Sequence, residues 1–310
     1  MLEDMKQLKT SLKSFRELFE KSIPVVQLAE ALVSFDEDSD PALAKAYAEE
    51  RGYDIVGVRR QDQLIGTVVV ANLEGGKLKD ALVPFEPIDV IDGQSSMLEV
   101  YRRMKRRSFL LVSDSGSGWG IVTPGDLQKM PSRIWLFGIV SLVEMHAIRL
   151  LKQSGPDPSQ WEQIIGTKQF EKCQKSHERL KRLNLDLELV DSLQLADEFD
   201  LLRHDITRVT ELGFSSASNL RSFVKDLSGL RNTLAHSRAM GRKQLDCLPD
   251  LMEKAEQFIR IAESIQLTGT VEAAPARASI EHSGAKVKSA QCMANIGLFE
   301  GVILWNKCKE

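Results

Sequence analysis

The chain has 310 residues, 43% of them hydrophobic, with a net charge of −3 and a pI near 6.1. That length suits two domains with packed cores. The balanced charge argues against sequence-specific DNA binding or a membrane surface, so any RNA contact has to be a local patch. Four cysteines, Cys173, Cys247, Cys292 and Cys308, show neither Cys-x-x-Cys spacing nor neighbouring His pairs. This speaks against a metal site or a disulfide scaffold and fits a reducing, cytoplasmic setting.

Residues 1–21 read as an amphipathic helix, with Met5, Leu8, Leu12, Phe15 and Phe19 on one stripe. Acids and bases mix on its polar face, as in a docking helix rather than a membrane anchor. The charge spread over Met1 to Lys21 is unlike a signal peptide. The longest apolar run, Ile134 to Val143, is broken by Ser141 and ends at Glu144, which reads as too short to cross a bilayer.

From residue 22 to residue 130, short strands alternate with short helices. Asp40-Pro41 pairs an N-cap with proline at the first helical position, and Gly52 closes that helix. Ile55 to Arg59 and Leu64 to Val70 read as strands around a Gln61-Asp62-Gln63 turn. A linker, Asn72 to Val83, follows. The same order then returns: Val90-Ile91, a helix opened by a Ser96-x-x-Glu99 capping box and running to Arg107, then strands Phe109 to Val112 and Trp119 to Val122 around a Ser113 to Gly118 turn. This is an internal repeat of about 55 residues whose two copies should pack sheet to sheet with clefts between them. The basic run Arg102, Arg103, Lys105, Arg106 and Arg107 is either a solvated helix face or a patch that attracts phosphates.

The second copy ends in Gly120-Ile-Val-Thr123-Pro-Gly-Asp126-Leu. This resembles the Gly-h-x-Thr-x-x-Asp signature of CBS domains at every defining position, and with the repeat it makes residues 22–130 resemble a tandem CBS pair of β-α-β-β-α units. The resemblance implies an adenine nucleotide (AMP, ADP or ATP) as regulatory ligand. Asp126 would accept hydrogen bonds from the ribose hydroxyls, as a fixed carboxylate does well. Thr123 would hold the ribose or first phosphate, and Ile88 and Phe109 would line the adenine pocket. The first copy departs from the signature, with Val69 in place of the Thr and Asn72 in place of the Asp, so one nucleotide per chain is expected.

Pro131 marks a boundary, and residues 131–267 read as an all-α bundle. Residues 133–152 are apolar nearly all round, as in a central helix, and carry Glu144, His146 and Arg149. Asp157-Pro158 starts a helix expected to run to Leu183, and Leu187 to Leu202 forms the next. Asp197, Glu198 and Asp200 read as a solvated acidic face, rather than as carboxylates orienting His236. Ser216 and Ser218 offer N-caps to a helix whose Leu220, Phe223, Val224, Leu227, Leu230 and Leu234 recur at three and four residues. Leu251 to Gln266 gives the last helix. On the motif helix, Arg231 precedes His236 by five positions, roughly 140° around a straight helix. One helix therefore does not present the two side by side, whereas a two-fold pairing of copies would.

Arg231-Asn232-x-x-Ala235-His236 resembles the Arg-x4-6-His signature of HEPN domains. The order of apolar helix, Leu193 to Asp197 and Gly213-Phe214 before the motif is similar too, over about residues 133–266. The resemblance implies a homodimer and a metal-independent endoribonuclease with Arg231, His236 and Asn232 as its catalytic residues. The sequence reading is thus α+β: tandem CBS-like repeats, then a HEPN-like bundle, then residues 268–310 as linker and apolar tail. It leaves two functions open, a nucleotide-sensing ribonuclease acting on RNA and a non-catalytic adaptor that dimerises under nucleotide control.

Overall fold

The structure, a computed structural model, describes residue 17 and residues 21–114, 118–183 and 187–269. The N-terminal amphipathic helix and the tail beyond Gly269 lie all but entirely outside the described residues.

The first repeat comprises β2 (Ser34–Asp36), α1 (Pro41–Arg51), β3 (Ile55–Arg60) and β4 (Gln63–Val69). Helix α1 forms as its sequence signals: Asp40 Oδ1 accepts from the Ala42 N–H at 2.8 Å, and Gly52 ends it at φ +69°, a left-handed conformation that costs glycine nothing. Strand β3 lies parallel to β2 and antiparallel to β4. Gln61 and Asp62 make the β3–β4 turn at φ +48° and +64°, the twist that a two-residue hairpin needs.

The second repeat has the same layout: β5 (Val90–Asp92), α2 (Met97–Met104), β6 (Leu110–Asp114) and β7 (Gly118–Val122), with β5 parallel and β7 antiparallel to β6. Two local expectations fail here. The Ser96 capping box does not form, because Glu99 instead binds Arg103 Nε at 2.8 Å one turn along. Helix α2 stops at Met104 rather than at Arg107. The closing helix expected in each β-α-β-β-α unit is also replaced by a short 3-10 turn, Val70–Asn72 in the first repeat and Pro124–Gln128 in the second.

The repeats exchange their lead-in segments. The chain entering the first repeat, β1 (Glu30–Ala31), pairs with β7 of the second; just before it, Val25 and Val26 donate to the Ser95 and Gly93 carbonyls. The chain entering the second repeat does the converse. Leu78 and Lys79 donate to the Ser39 and Glu37 carbonyls, and Val83 pairs with Thr67 on β4. Both motif glycines sit under these crossings. A Cβ on Gly66 would meet Val83 O at 2.4 Å, and one on Gly120 would meet the Ala29 Cβ at 2.9 Å.

Residues 130–269 form α3 (Met130–Ser154), α4 (Trp161–Ile165), α5 (Thr167–Lys181), α6 (Leu195–Leu202), α7 (Ile206–Glu211), α8 (Ala217–Ala235) and α9 (Arg242–Gly269). The single helix expected from Asp157 to Leu183 is split at Gly166, whose φ of +85° no helix allows. Helix α9 starts well before Leu251 and carries Pro249 inside it. Helix α3 packs on α6, α8 and α9, and α9 packs also on α2. Although α3 is long and apolar enough to cross a membrane, 61% of its most apolar stretch is buried inside the protein, as in a core helix.

Two apolar cores result. A small one belongs to the first repeat: Ala44, Ala48, Val56, Val58, Val68, Val70, Leu73 and Leu78. The other runs without a break from the second repeat into the bundle; Tyr101 of α2 stacks on Trp135 of α3 with ring centroids 5.3 Å apart, and its hydroxyl bonds Ser132.

Candidate functional site

Strand directions gather the first set of residues. Because β5 and β6 are parallel, Ile88 and Phe109 precede them at the same end of the sheet. Because β7 runs the other way, with Val122 opposite Leu110, Thr123 leaves it at that end too. Ile88, Phe109, Thr123 and Asp126 thus share one sheet end. Thr123 heads the 3-10 turn Pro124–Gln128, and its N–H and Oγ1 both donate to Asp126 Oδ2, at 2.6 and 2.8 Å. Lys129 Nζ holds Asp126 Oδ1 at 2.7 Å and also reaches Glu30 and the Leu28 carbonyl, each at 2.9 Å. The Asp126 carboxylate is therefore buried, fixed and charge-balanced, a preorganised acceptor. In the first repeat Val69 and Asn72 offer no such pair.

Most of the basic run at and just beyond the end of α2 is committed within the chain. Arg103 binds Glu99 and the Ile88 and Val90 carbonyls, and Arg107 binds Glu86 and Asp89. Lys105 crosses to Asp250 and Glu253 of α9 at 2.7 and 2.6 Å. Its main work is to tie the second repeat together and to α9, which neither sequence alternative foresaw.

The second set centres on α8, N-capped by Ser216. Arg231 Nη2 lies 3.2 Å from Glu144 Oε1 on α3. Arg231 and Asn232 also line a pocket of about 430 Å³ together with Lys172, Cys173, Gln194 and Asp197. His236 does not line it. It is exposed, one residue beyond the end of α8, where its N–H caps the Asn232 carbonyl. Within one chain, the structure brings Arg231 and Asn232 to one pocket and leaves His236 outside it, as the angular spacing required.

The acidic residues at and behind this pocket depart from expectation. Glu198 is fully buried and Asp197 nearly so; neither forms a solvated face, and only Asp200, paired with Arg203, is substantially exposed. Burial drives the Glu198 carboxyl well above its ordinary range, and the nearby Glu144 charge pushes it the same way against the pull of Arg231. Glu144 is raised by burial, again opposed by Arg231. The Cys173 thiol is raised to about 11, chiefly by burial. The signal for Glu198 was present in the sequence: Leu195, Glu198, Phe199 and Leu202 fall on one helical face, so Glu198 shares the apolar stripe. His146 is buried within the bundle on α3.

No protein-family model matches the sequence, and no curated protein matches it either. Among solved structures the chain is similar to a CBS domain-containing protein of unknown function from Bacillus anthracis, at 17% identity over 36% of this chain and 94% of that one, with a TM-score of 0.32. It is similar to the CBS domain of the bacterial CNNM/CorC family Mg2+ transporter in complex with ATP, at 17% identity over 37% and 91%, TM-score 0.30. A hemolysin-like protein containing a CBS domain from Oenococcus oeni is also similar, at 15% identity over 38% and 95%, TM-score 0.31. The HEPN resemblance rests on its sequence motif and helix order alone.

Proposed function

We propose that the protein is an adenine-nucleotide-responsive regulator, in which residues 22–130 receive AMP, ADP or ATP and residues 131–267 are the output. The observation that carries this reading is the Thr123–Asp126 pair. A carboxylate braced by two donors and a lysine stands at the same sheet end as two partly exposed apolar side chains, Ile88 and Phe109. Vicinal ribose hydroxyls suit the first and a purine face the second. Titration calorimetry with each nucleotide should give one site per chain. Asp126→Asn, which keeps the shape and removes the charge, should weaken it at least tenfold, while Asn72→Ala should not. Absence of binding, or binding indifferent to Asp126, overturns the reading.

For the output, the finer reading is a metal-independent endoribonuclease of HEPN type, completed by a second copy. His236 would take the proton from an RNA 2′-hydroxyl as its oxygen attacks the adjacent phosphorus. Arg231, with Asn232, would stabilise the added charge on the phosphorane. The 5′-oxygen would leave and a 2′,3′-cyclic phosphate remain. Supporting it is a stripe on α3, Met130, Ile134, Phe137 and Met145, exposed at helical spacing. It runs beside Arg133 and Glu144, which bond the motif region at Thr233, Arg238 and Arg231, where a two-fold partner would seat. The adaptor reading is favoured by a different observation: Arg231 is engaged by Glu144, and His236 lies outside the pocket. Labelled RNA incubated with EDTA decides between them. Cleavage lost in both His236→Ala and Arg231→Ala supports the nuclease, and no cleavage by wild type with or without nucleotide supports the adaptor.

A further inference from the structure

The 3-10 turn that begins at Thr123 ends at Gln128, so Asp126 and Gln128 belong to one short rigid element. The Gln128 amide makes a reciprocal pair with the backbone of Met240: Nε2 donates to Met240 O at 2.7 Å, and Met240 N donates to Oε1 at 2.9 Å. This side chain imitates a strand partner for a loop segment 112 positions away. Met240 is itself buried in the core that holds Leu127, so the loop is pinned there. One turn into α3, Arg133 donates to Thr233 O at 3.3 Å, in the last turn of α8, and to Arg238 O at 2.9 Å, three residues past its end. His236 stands between these anchors. Its neighbour Ser237 is held at φ +50°, a conformation that a non-glycine residue keeps only while its surroundings impose it.

We infer that Gln128 and Arg133 are positioning residues through which occupancy of the Thr123–Asp126 site sets the placement of His236. The inference rests on the nucleotide reading above and holds whether the output is catalysis or docking. Ribose hydroxyls arriving at Asp126 compete for oxygens that already serve Thr123 and Lys129, and loosening those bonds frees the turn to move. Gln128 lies on that turn, and its two hydrogen bonds pass the displacement to Met240 and the His236 loop. A nucleotide shifts this equilibrium by as much as it prefers one placement of the loop over the other.

The test is amide hydrogen exchange over residues 236–241, together with the His236 imidazole NMR signal, on the full chain with and without saturating AMP, ADP or ATP. Wild type is compared with Gln128→Leu, which removes both bonds, and Gln128→Glu, which keeps only the acceptor for Met240 N. In wild type, nucleotide should change exchange at 236–241 and move the His236 signal. Gln128→Leu should bind nucleotide within about threefold of wild type and exchange the Met240 amide about fivefold faster. It should also lose the nucleotide-dependent change, with Gln128→Glu intermediate. A bound nucleotide that leaves 236–241 unaltered in wild type, or a response undiminished in a folded Gln128→Leu, overturns the inference while the nucleotide reading stands. Failure of every nucleotide to bind wild type overturns both.

Discussion

The two repeats are built to one plan and differ in what their helices face. In the first, Ala44 and Ala48 of α1 close a small core over β3 and β4, while Leu43 and Tyr47 on the same helix face water. In the second, Val100 and Tyr101 of α2 are fully buried against the bundle, and the core continues through Trp135 to Phe258 of α9. The repeat that keeps Thr123 and Asp126 is the one built into the helical part. The repeat with Val69 and Asn72 holds its own core and reaches the other through exchanged backbone segments. The contrast bears on where a signal can travel, since the second repeat and the bundle share packed core side chains and the first repeat, among the described residues, shares none with it.

This contrast can be broken at its strongest point first. Trp135→Ala should cost about 3–5 kcal/mol and lower the unfolding midpoints of the second repeat and the bundle together. Val58→Ala should cost roughly 2 kcal/mol, with the loss confined to the first repeat. Hydrogen exchange resolved by segment checks both, and separate transitions for the second repeat and the bundle would refute the shared core. Next comes the acid within the bundle. The folded pKa of Glu198 is raised above its unfolded value near 4.5, so its neutral form is the one stably buried. The stability it permits is complete below that value and is lost as pH rises toward the folded pKa. Urea midpoints of wild type should therefore fall relative to Glu198→Gln as pH increases from 4.5, and parallel curves would refute the buried neutral acid. The smallest effect is at the surface. Lys105→Ala removes the contacts to Asp250 and Glu253 and should cost at most about 1 kcal/mol, shrinking with added salt. A salt-independent loss would mean that the lysine acts through packing of its stem.

Each departure of the structure from local expectation has its own cause. The spacing of Ser96 and Glu99 fits a capping box, yet Arg103 one turn further on offers Glu99 a cation. Gly166 falls inside a helical pattern, yet its positive φ ends one helix and starts the next. The charge of Glu198 suggests solvent, whereas its phase with Leu195, Phe199 and Leu202 places it inside. Lys105, Gln128 and Arg133 had no local signal at all, because their partners lie far along the chain and on other elements.

The alternation of short strands and helices in residues 22–130, its repeat, the Thr123–Asp126 motif and the helix that carries Arg231 were determined by the sequence, because capping, turn chemistry and hydrophobic period act over a few residues. The exchange of lead-in segments, the core shared by the second repeat and the bundle, the burial of Glu198 and the grip of Gln128 on Met240 were decided only by tertiary structure. Those depend on which surfaces meet once the elements exist. That is settled by burying apolar area and satisfying backbone groups across the whole chain at once, and no short window of residues contains it.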